Sequence, residues 1–134
     1  MEFRVINETG QRLPAVQWAR LFRRVQRGER AGSTTSVALV LTTPQRIGTL
    51  NRKYHHGSGS TDVLAFPAPA HQSLDGSGDI IICPAVLHQR FPRESLPALL
   101  RHRFVHALLH LHGYQHSTDR AAKRMEACTQ SYLT

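Results

Sequence analysis

The segment from Ser95 to Gly113 constrains the fold more than any other part of the chain. Ser95 is a suitable N-cap, because its hydroxyl can accept a hydrogen bond from the first turn of a helix. Gly113 is a suitable stop, because glycine readily adopts the positive φ that follows many helices. Between them, apolar residues recur with the spacing of one buried helical face: Leu96, Leu99, Leu100, Phe104, Leu108 and Leu111. The segment therefore predicts one long helix packed against a core.

Three histidines lie in and just after this predicted helix. His106 and His110 are four residues apart, so their imidazoles share one face of the helix, one turn apart. A turn at Gly113 can bring His116 back toward them. Three nitrogen ligands leave the fourth position of a tetrahedral zinc ion open, as catalytic zinc sites require. The spacing predicts one zinc ion per chain bound by His106, His110 and His116, and the alternative is a histidine-rich surface without metal.

Other histidines are assigned other roles. His102 and His112 are predicted to point away from the metal-binding face, in surface or capping positions. His71 and His88 are predicted to be surface residues. Ala107 stands directly after the first predicted ligand, where H-E-x-x-H metalloproteases carry a glutamate that acts as general base. Because alanine cannot move a proton, peptide hydrolysis by that mechanism is disfavoured.

Four short segments have the apolar composition of strands: 3–7, 37–41, 62–66 and 79–83. Further helices are predicted from Pro14 to Gly28, over 45–54, after Pro84, and from Ser117 or Thr118 onward. The polar segments 55–60 and 67–78 predict loops. This order predicts an α+β fold, in which a single mixed four-stranded sheet, with two strands able to meet as a hairpin, is covered by about five helices. Residues 1–134 are expected to form one domain.

The chain is strongly basic, with a formal net charge of +8 that arginine mostly supplies. Since arginine can bind phosphate through two parallel hydrogen bonds, the composition favours a polyanionic partner, and a solubilising surface charge is the alternative. Cys83 and Cys128 are far apart, which indicates a reducing cytoplasm rather than a disulfide framework. No stretch has the length and apolarity of a signal peptide or a membrane span. We therefore expect a cytoplasmic protein.

The histidine segment resembles the signature of a known family. Residues 106–116 read H-A-L-L-H-L-H-G-Y-Q-H and are similar to the H-G-x-x-H-L-x-G-Y-D-H signature of the YbeY family, the bacterial endoribonucleases of ribosomal RNA maturation. Further blocks resemble the same family and follow its order: 50–54, 61–67, 78–84, and Met125 with Glu126. The likeness therefore extends well beyond the histidines.

The resemblance implies a metzincin-like fold, zinc bound by His106, His110 and His116, and metal-dependent cleavage of single-stranded RNA. We expect neither DNA nor a membrane as partner. The resemblance also implies action in small-subunit ribosomal RNA maturation and ribosome quality control, with ribosomal RNA or the small subunit as partner. The family has an arginine after the tyrosine, and His55 occupies that position here. His55 and Arg52, which lies one helical turn earlier, are the candidate catalytic residues that would contact phosphate.

The chain also departs from the family elsewhere. Gln115 replaces an aspartate beside the last histidine, which removes a carboxylate that could orient a ligand. Ala107 replaces a glycine and Ala65 a serine. These differences leave two alternatives to an endoribonuclease. One is a non-catalytic RNA-binding or ribosome-binding module with structural zinc, and the other is a zinc metalloprotease.

Overall fold

The computed structural model describes residues 2–29, 36–54, 61–67 and 78–134. Nine elements follow one another along these residues: β1 (Glu2–Asn7), α1 (Trp18–Gly28), β2 (Ser36–Leu41), α2 (Pro44–Tyr54), β3 (Val63–Pro67), β4 (Gly78–Ile82), α3 (Pro84–Arg90), α4 (Leu96–Leu111) and α5 (Asp119–Leu133). The predicted α+β architecture, with five helices and one mixed four-stranded sheet, is confirmed. The predicted loop at 55–60, which includes His55, lies outside the described residues, and so do residues 68–77 of the predicted loop 67–78, which include His71. Pro67 and Gly78, placed in that loop by the sequence, are the last residue of β3 and the first residue of β4.

The sheet has the strand order β1-β2-β4-β3. β1, β2 and β4 run parallel, with Val5 opposite Leu39 and Leu39 opposite Ile80. β3 runs antiparallel to β4, with Ala65 opposite Ile80, so two of the predicted strands do pair as a hairpin requires. Parallel neighbours need a crossover, and α1 supplies the one between β1 and β2. β1 and β3 form the two edges of the sheet.

Apolar side chains fill both faces of this sheet. On one face, β2 and β4 pack against α1, α4 and α5. On the other face, a smaller cluster joins α2 and α3 to the sheet: Ile47, Leu64, Ile81, Cys83 and Val86. α4 contacts both β3 and β4. The helix that carries His106 and His110 therefore lies beside the edge strand β3.

Short-range signals set the ends of the last two helices. The Ser95 hydroxyl accepts a hydrogen bond from the Ala98 N–H over 3.4 Å and caps α4. The Thr118 hydroxyl accepts one from the Ala121 N–H over 3.1 Å and caps α5. The predicted cap at Ser95 is confirmed, the last helix begins next to Thr118 as predicted, and Gly113 follows the end of α4 as expected. No helix within the described ranges is long and apolar enough to cross a bilayer.

α1 begins later than predicted. The sequence places its start at Pro14, but the first helical residue is Trp18, with Gln17 as N-cap. The residues before it are not helical, and Leu13 and Val16 pack against the main core. Because proline at the first helical position is only a local preference, this packing of the preceding segment overrides it.

Candidate metal centre

His106, His110 and His116 meet at the C-terminal end of α4. The ring centroids are 4.9 Å apart for His106 and His110, 4.8 Å for His110 and His116, and 6.1 Å for His106 and His116. One nitrogen of each ring lies within 4.8 Å of the corresponding nitrogens of the other two. The structure thus brings together the three residues that the sequence spacing selected, and this group could hold a metal ion.

The turn after α4 carries His116 to the other two histidines. Gly113 has a φ of 101°, a conformation that other residues rarely adopt. The Gly113 N–H donates to the His110 carbonyl over 3.0 Å, and the Tyr114 N–H donates to the Leu109 carbonyl over 3.1 Å. These two bonds satisfy carbonyls at the end of the helix and reverse the chain.

The ring nitrogens are arranged as a cation site requires. His110 Nδ1 lies 3.0 Å from the Tyr114 carbonyl. Because a carbonyl can only accept, Nδ1 carries the proton and Nε2 keeps a lone pair for a cation. Within the described residues, His106 Nδ1 is the one buried side-chain nitrogen or oxygen without a hydrogen-bond partner. A buried polar atom without a partner costs about 1–3 kcal/mol, and a cation coordinated by this nitrogen would offset that cost. The donor set therefore fits a metal ion.

Burial favours the neutral, metal-binding form of the His106 and His110 rings by lowering their pKa. Burial, followed by repulsion from the neighbouring imidazoles of His110 and His102, lowers the pKa of His106 to about 4. Burial also lowers the pKa of His110, against the opposing effect of the Tyr114 carbonyl. Since a protonated imidazole cannot coordinate a cation, these shifts make the site ready for metal at neutral pH.

We expect the metal-free protein to lose stability as the pH falls from 6.5 toward about 4. In this window an unfolded histidine takes up a proton, whereas folded His106 resists protonation until its lower pKa is reached. The stabilisation is fully present above the unfolded pKa and is lost as the pH falls through the folded one. Urea denaturation of chelated protein across this window measures the loss, and His106→Gln should make it smaller. The same pH dependence in wild type and variant would contradict this expectation.

The three histidines line a cleft of about 680 Å³. One wall is formed by residues 61–65, which comprise the two residues before β3 and the first three residues of β3. α4 forms the other wall through His106, Ala107 and His110. Residues 113–116 of the turn complete the lining. Such a volume is in the range of ligand-binding clefts, so a substrate has room beside the histidines.

The prediction that His102 points away from the metal-binding face is wrong. Its ring stacks on the His106 ring, with 5.8 Å between centroids and an interplanar angle of 17°. The reason is helical geometry, because His102 precedes His106 by four residues and so lies one turn earlier on the same face. His102 Nε2 lies 3.0 Å and 3.2 Å from the two carboxylate oxygens of Glu126 on α5.

His102 belongs to a charged network beside the histidine cluster. Arg103 donates to His102 Nδ1 over 2.8 Å, so Nε2 carries the proton and donates to Glu126. Arg103 also lies 3.5 Å from Asp62 Oδ2, and Arg90 lies 3.8 Å from the same oxygen. Because Asp62 lines the cleft, the network connects the cleft wall to α4 and α5. Sequence reasoning missed it because Asp62 and Arg103 are separated by 41 positions. The four-residue spacing of His102 from His106 was the available signal.

The other predicted residues lie outside the histidine cluster. Arg52 is exposed on the last turn of α2, where it donates to the Thr49 hydroxyl over 3.5 Å. It is not among the described residues that line the cleft. His88 is exposed on α3, which confirms its surface assignment. His112 is half-buried and is the C-cap residue of α4, which agrees with its capping role and not with a surface role.

A family model described as Endoribonuclease YbeY matches residues 5–134. The Endoribonuclease YbeY of Pseudomonas putida is 37% identical over 89 residues, covering 63% of this chain and 57% of that protein. The one from Maricaulis maris is 32% identical over 99 residues, covering 72% of this chain and 61% of that protein. The one from Cupriavidus necator is 38% identical over 81 residues, covering 59% of this chain and 41% of that protein. The aligned stretch thus spans less than two-thirds of each relative.

A solved structure has a similar fold. The solution structure of TM1509 from Thermotoga maritima aligns with 99% of this chain and 87% of that chain, with a TM-score of 0.65 and 24% sequence identity. This likeness concerns the fold alone. The family match, by contrast, runs from residue 5 to residue 134 and includes all three clustered histidines. The chain therefore belongs to the Endoribonuclease YbeY family.

Proposed function

We propose that this protein is a metal-dependent endoribonuclease that cleaves single-stranded RNA. The observation that carries the proposal is the cluster of three histidines, whose coordinating atoms lie within 4.8 Å of one another in a cleft. Its family supports the choice of RNA as substrate, since the matched relatives are named endoribonucleases. We further propose that residues 1–134 act as one domain on ribosomal RNA in the cytoplasm, during small-subunit maturation and ribosome quality control.

The proposed metal is one zinc ion per chain, held by His106, His110 and His116. Imidazole nitrogen suits zinc, and three protein ligands leave one position for water or substrate. Bound zinc supplies Lewis acidity, which makes water more acidic and polarises a phosphoryl oxygen. The chain's own contribution is to keep His106 and His110 neutral by burial and to orient His110 through the Tyr114 carbonyl.

Positive charge is proposed to hold the RNA. The net charge of +8 favours binding to phosphates, and arginine is suited to contact them in pairs of hydrogen bonds. Arg52 and His55 are proposed to contact the phosphate near the bond that is cut. Arg52 is on α2, which contacts β3, and residues at the start of β3 line the cleft. This neighbourhood supports a role for Arg52 at the rim of the cleft.

Two observations argue against a metalloprotease. Ala107 is 2% exposed and has no ionisable group where the protease motif has its glutamate. In the described lining of the cleft, Asp62 is the one carboxylate, and it is paired with Arg103. The arrangement therefore offers no free carboxylate to assist peptide hydrolysis within this part of the chain.

Incubation of the zinc-loaded protein with labelled single-stranded RNA, duplex RNA and casein tests the proposal. We expect cleavage of the single strand, little cleavage of the duplex and none of casein. A chelator should stop the reaction, and added zinc should restore it. RNA that is bound but not cleaved would favour the non-catalytic module, and cleaved casein would favour the metalloprotease. Either result would overturn the proposed endoribonuclease.

Two substitutions in the same experiment examine the phosphate contacts. Arg52→Ala should weaken RNA binding about tenfold. It should also reduce the slope of log affinity against log salt concentration by about 1, because one phosphate contact is lost. His55→Ala is measured in the same way and should also weaken RNA binding, since His55 is proposed to contact the same phosphate. Arg4→Ala is the control, because Arg4 is exposed on β1 at the opposite edge of the sheet from β3. Equal effects of the Arg4 and Arg52 substitutions would remove Arg52 from the proposed site.

A further inference from the structure

The end of α1 contacts the turn that follows α4, residues 112–116, at two points. Gln26 is 2% exposed, and its Oε1 accepts a hydrogen bond from His112 Nε2 over 2.6 Å. Three residues later, Glu29 Oε1 accepts one from the Tyr114 hydroxyl over 2.9 Å. Because His112 and Tyr114 flank Gly113, the end of α1 holds both sides of the turn that leads to the third histidine of the cluster.

The position of Glu29 is unfavourable by local rules, which indicates a tertiary role. Glu29 is the C-cap of α1, where the helix dipole disfavours a negative charge. No ion pair joins it to another residue in the described ranges. It instead accepts hydrogen bonds from Tyr114, Tyr132 and Cys128. These donors use both carboxylate oxygens and come from the turn and from α5.

Tyr114 connects Glu29 to the histidine cluster. Its hydroxyl bonds Glu29, while its carbonyl accepts the hydrogen bond from His110 Nδ1 over 3.0 Å. Its N–H donates to the Leu109 carbonyl over 3.1 Å. The tyrosine is therefore held at both its backbone and its side chain, and its carbonyl orients the His110 ring. His116 follows two residues later in the same turn.

We propose that Glu29 is a positioning residue of the metal centre, acting through Tyr114 on His110 and His116. The inference rests on the metal site of the proposed function and extends it to a residue 85 positions from Tyr114 in the chain. Without the Glu29 bond, the tyrosine side chain loses its carboxylate anchor and the turn is held less firmly. Loss of an outer hydrogen bond that orients a ligand lowers metal affinity by about 10–100-fold.

Titration of the metal-free protein with Co²⁺ tests this role, because the visible spectrum of Co²⁺ reports the geometry of its ligands. Wild type is compared with Glu29→Gln, Tyr114→Phe and the double variant. Glutamine keeps the size of the side chain but offers one acceptor oxygen in place of two. We expect each single variant to bind Co²⁺ about tenfold more weakly and with altered visible bands. The double variant should bind no more weakly than the weaker single variant, since both changes act on the same hydrogen bond between the Tyr114 hydroxyl and Glu29.

Tyr132→Phe is the matched control. It removes a different phenol bond to Glu29, from α5, and leaves the Tyr114 bond in place. It should lower the free energy of unfolding as Tyr114→Phe does, while Co²⁺ affinity and spectrum stay close to those of wild type. If it weakens Co²⁺ binding as much as Tyr114→Phe, Glu29 acts through overall stability and the inference is overturned.

Two further outcomes overturn the inference. One is that the Glu29 and Tyr114 variants keep the Co²⁺ affinity and spectrum of wild type. The other is that the double variant loses Co²⁺ affinity by the sum of the two single losses in binding free energy. If Glu29→Gln does not fold, Tyr114→Phe decides alone, since Glu29 then keeps its bond to Tyr132. A wild type that binds no Co²⁺ overturns the metal site itself and the inference with it. That failure is distinguishable from one in which wild type binds Co²⁺ and the variants bind it equally well.

Discussion

Replacing His110 with alanine is expected to abolish stoichiometric metal binding. The His110 ring is the closest neighbour of both other rings, 4.9 Å from His106 and 4.8 Å from His116. Its removal leaves two rings whose centroids are 6.1 Å apart. Since catalytic zinc sites rest on three protein ligands, two imidazoles should retain zinc far more weakly. Mass spectrometry after equilibrium dialysis should show a fall from one zinc ion per chain to nearly none.

His88→Ala is the matched control for this experiment. His88 also lies on a helix, but it is exposed on α3 and outside the cluster. Its replacement should leave zinc content unchanged, and circular dichroism should show that both variants keep their helices. One zinc ion per chain in the His110 variant would remove the basis of the proposed function.

Replacing Phe104 with alanine is expected to lower the free energy of unfolding by about 3–5 kcal/mol. Phe104 is fully buried on α4. Its ring packs edge-on against Trp18 with 5.1 Å between centroids, and tilted against Phe3 with 5.5 Å between centroids. The side chain thus joins α4 to both α1 and β1, and its loss leaves a cavity that these elements can fill only partly. Urea denaturation measures the change.

Val5→Ala provides the comparison for this core substitution. Val5 is on β1 and 42% exposed, so its truncation to alanine should lower the free energy of unfolding by less than about 1 kcal/mol. If Phe104→Ala lowers the free energy of unfolding no more than Val5→Ala does, the assigned core does not carry the stability of the fold.

Features that depend on neighbouring residues are predictable from the sequence. Ser95 and Thr118 act as N-caps because the hydroxyl and its donor are three residues apart. Gly113 ends α4 because its own φ is positive. The histidine cluster was also accessible, since its members all lie within residues 106–116, and helical spacing with one turn is enough to assemble them.

Features that depend on distant pairing are not predictable in this way. The position of β4 between β2 and β3 follows from strand pairing, which sequence periodicity does not encode. The late start of α1 depends on how Leu13 and Val16 pack against the core. The contact of Glu29 with Tyr114 joins residues 85 positions apart and has no local pattern. His102 is a different case, because its spacing of four residues from His106 is a local pattern that places both rings on the same face of α4.

The contacts of Glu29 also lead us to expect a particular order of events during folding. The histidines of the cluster lie within one continuous segment, whereas Tyr132 is 103 positions from Glu29, and Thr134 is 110 positions from its partner Arg24. Closing a loop costs more entropy as the loop lengthens, so such distant contacts form late. The three histidines, by contrast, lie within residues 106–116, so we expect them to come together before these distant contacts form. Docking of α1 would then complete the site, and we expect added metal to change the rate of folding as well as the stability of the folded protein.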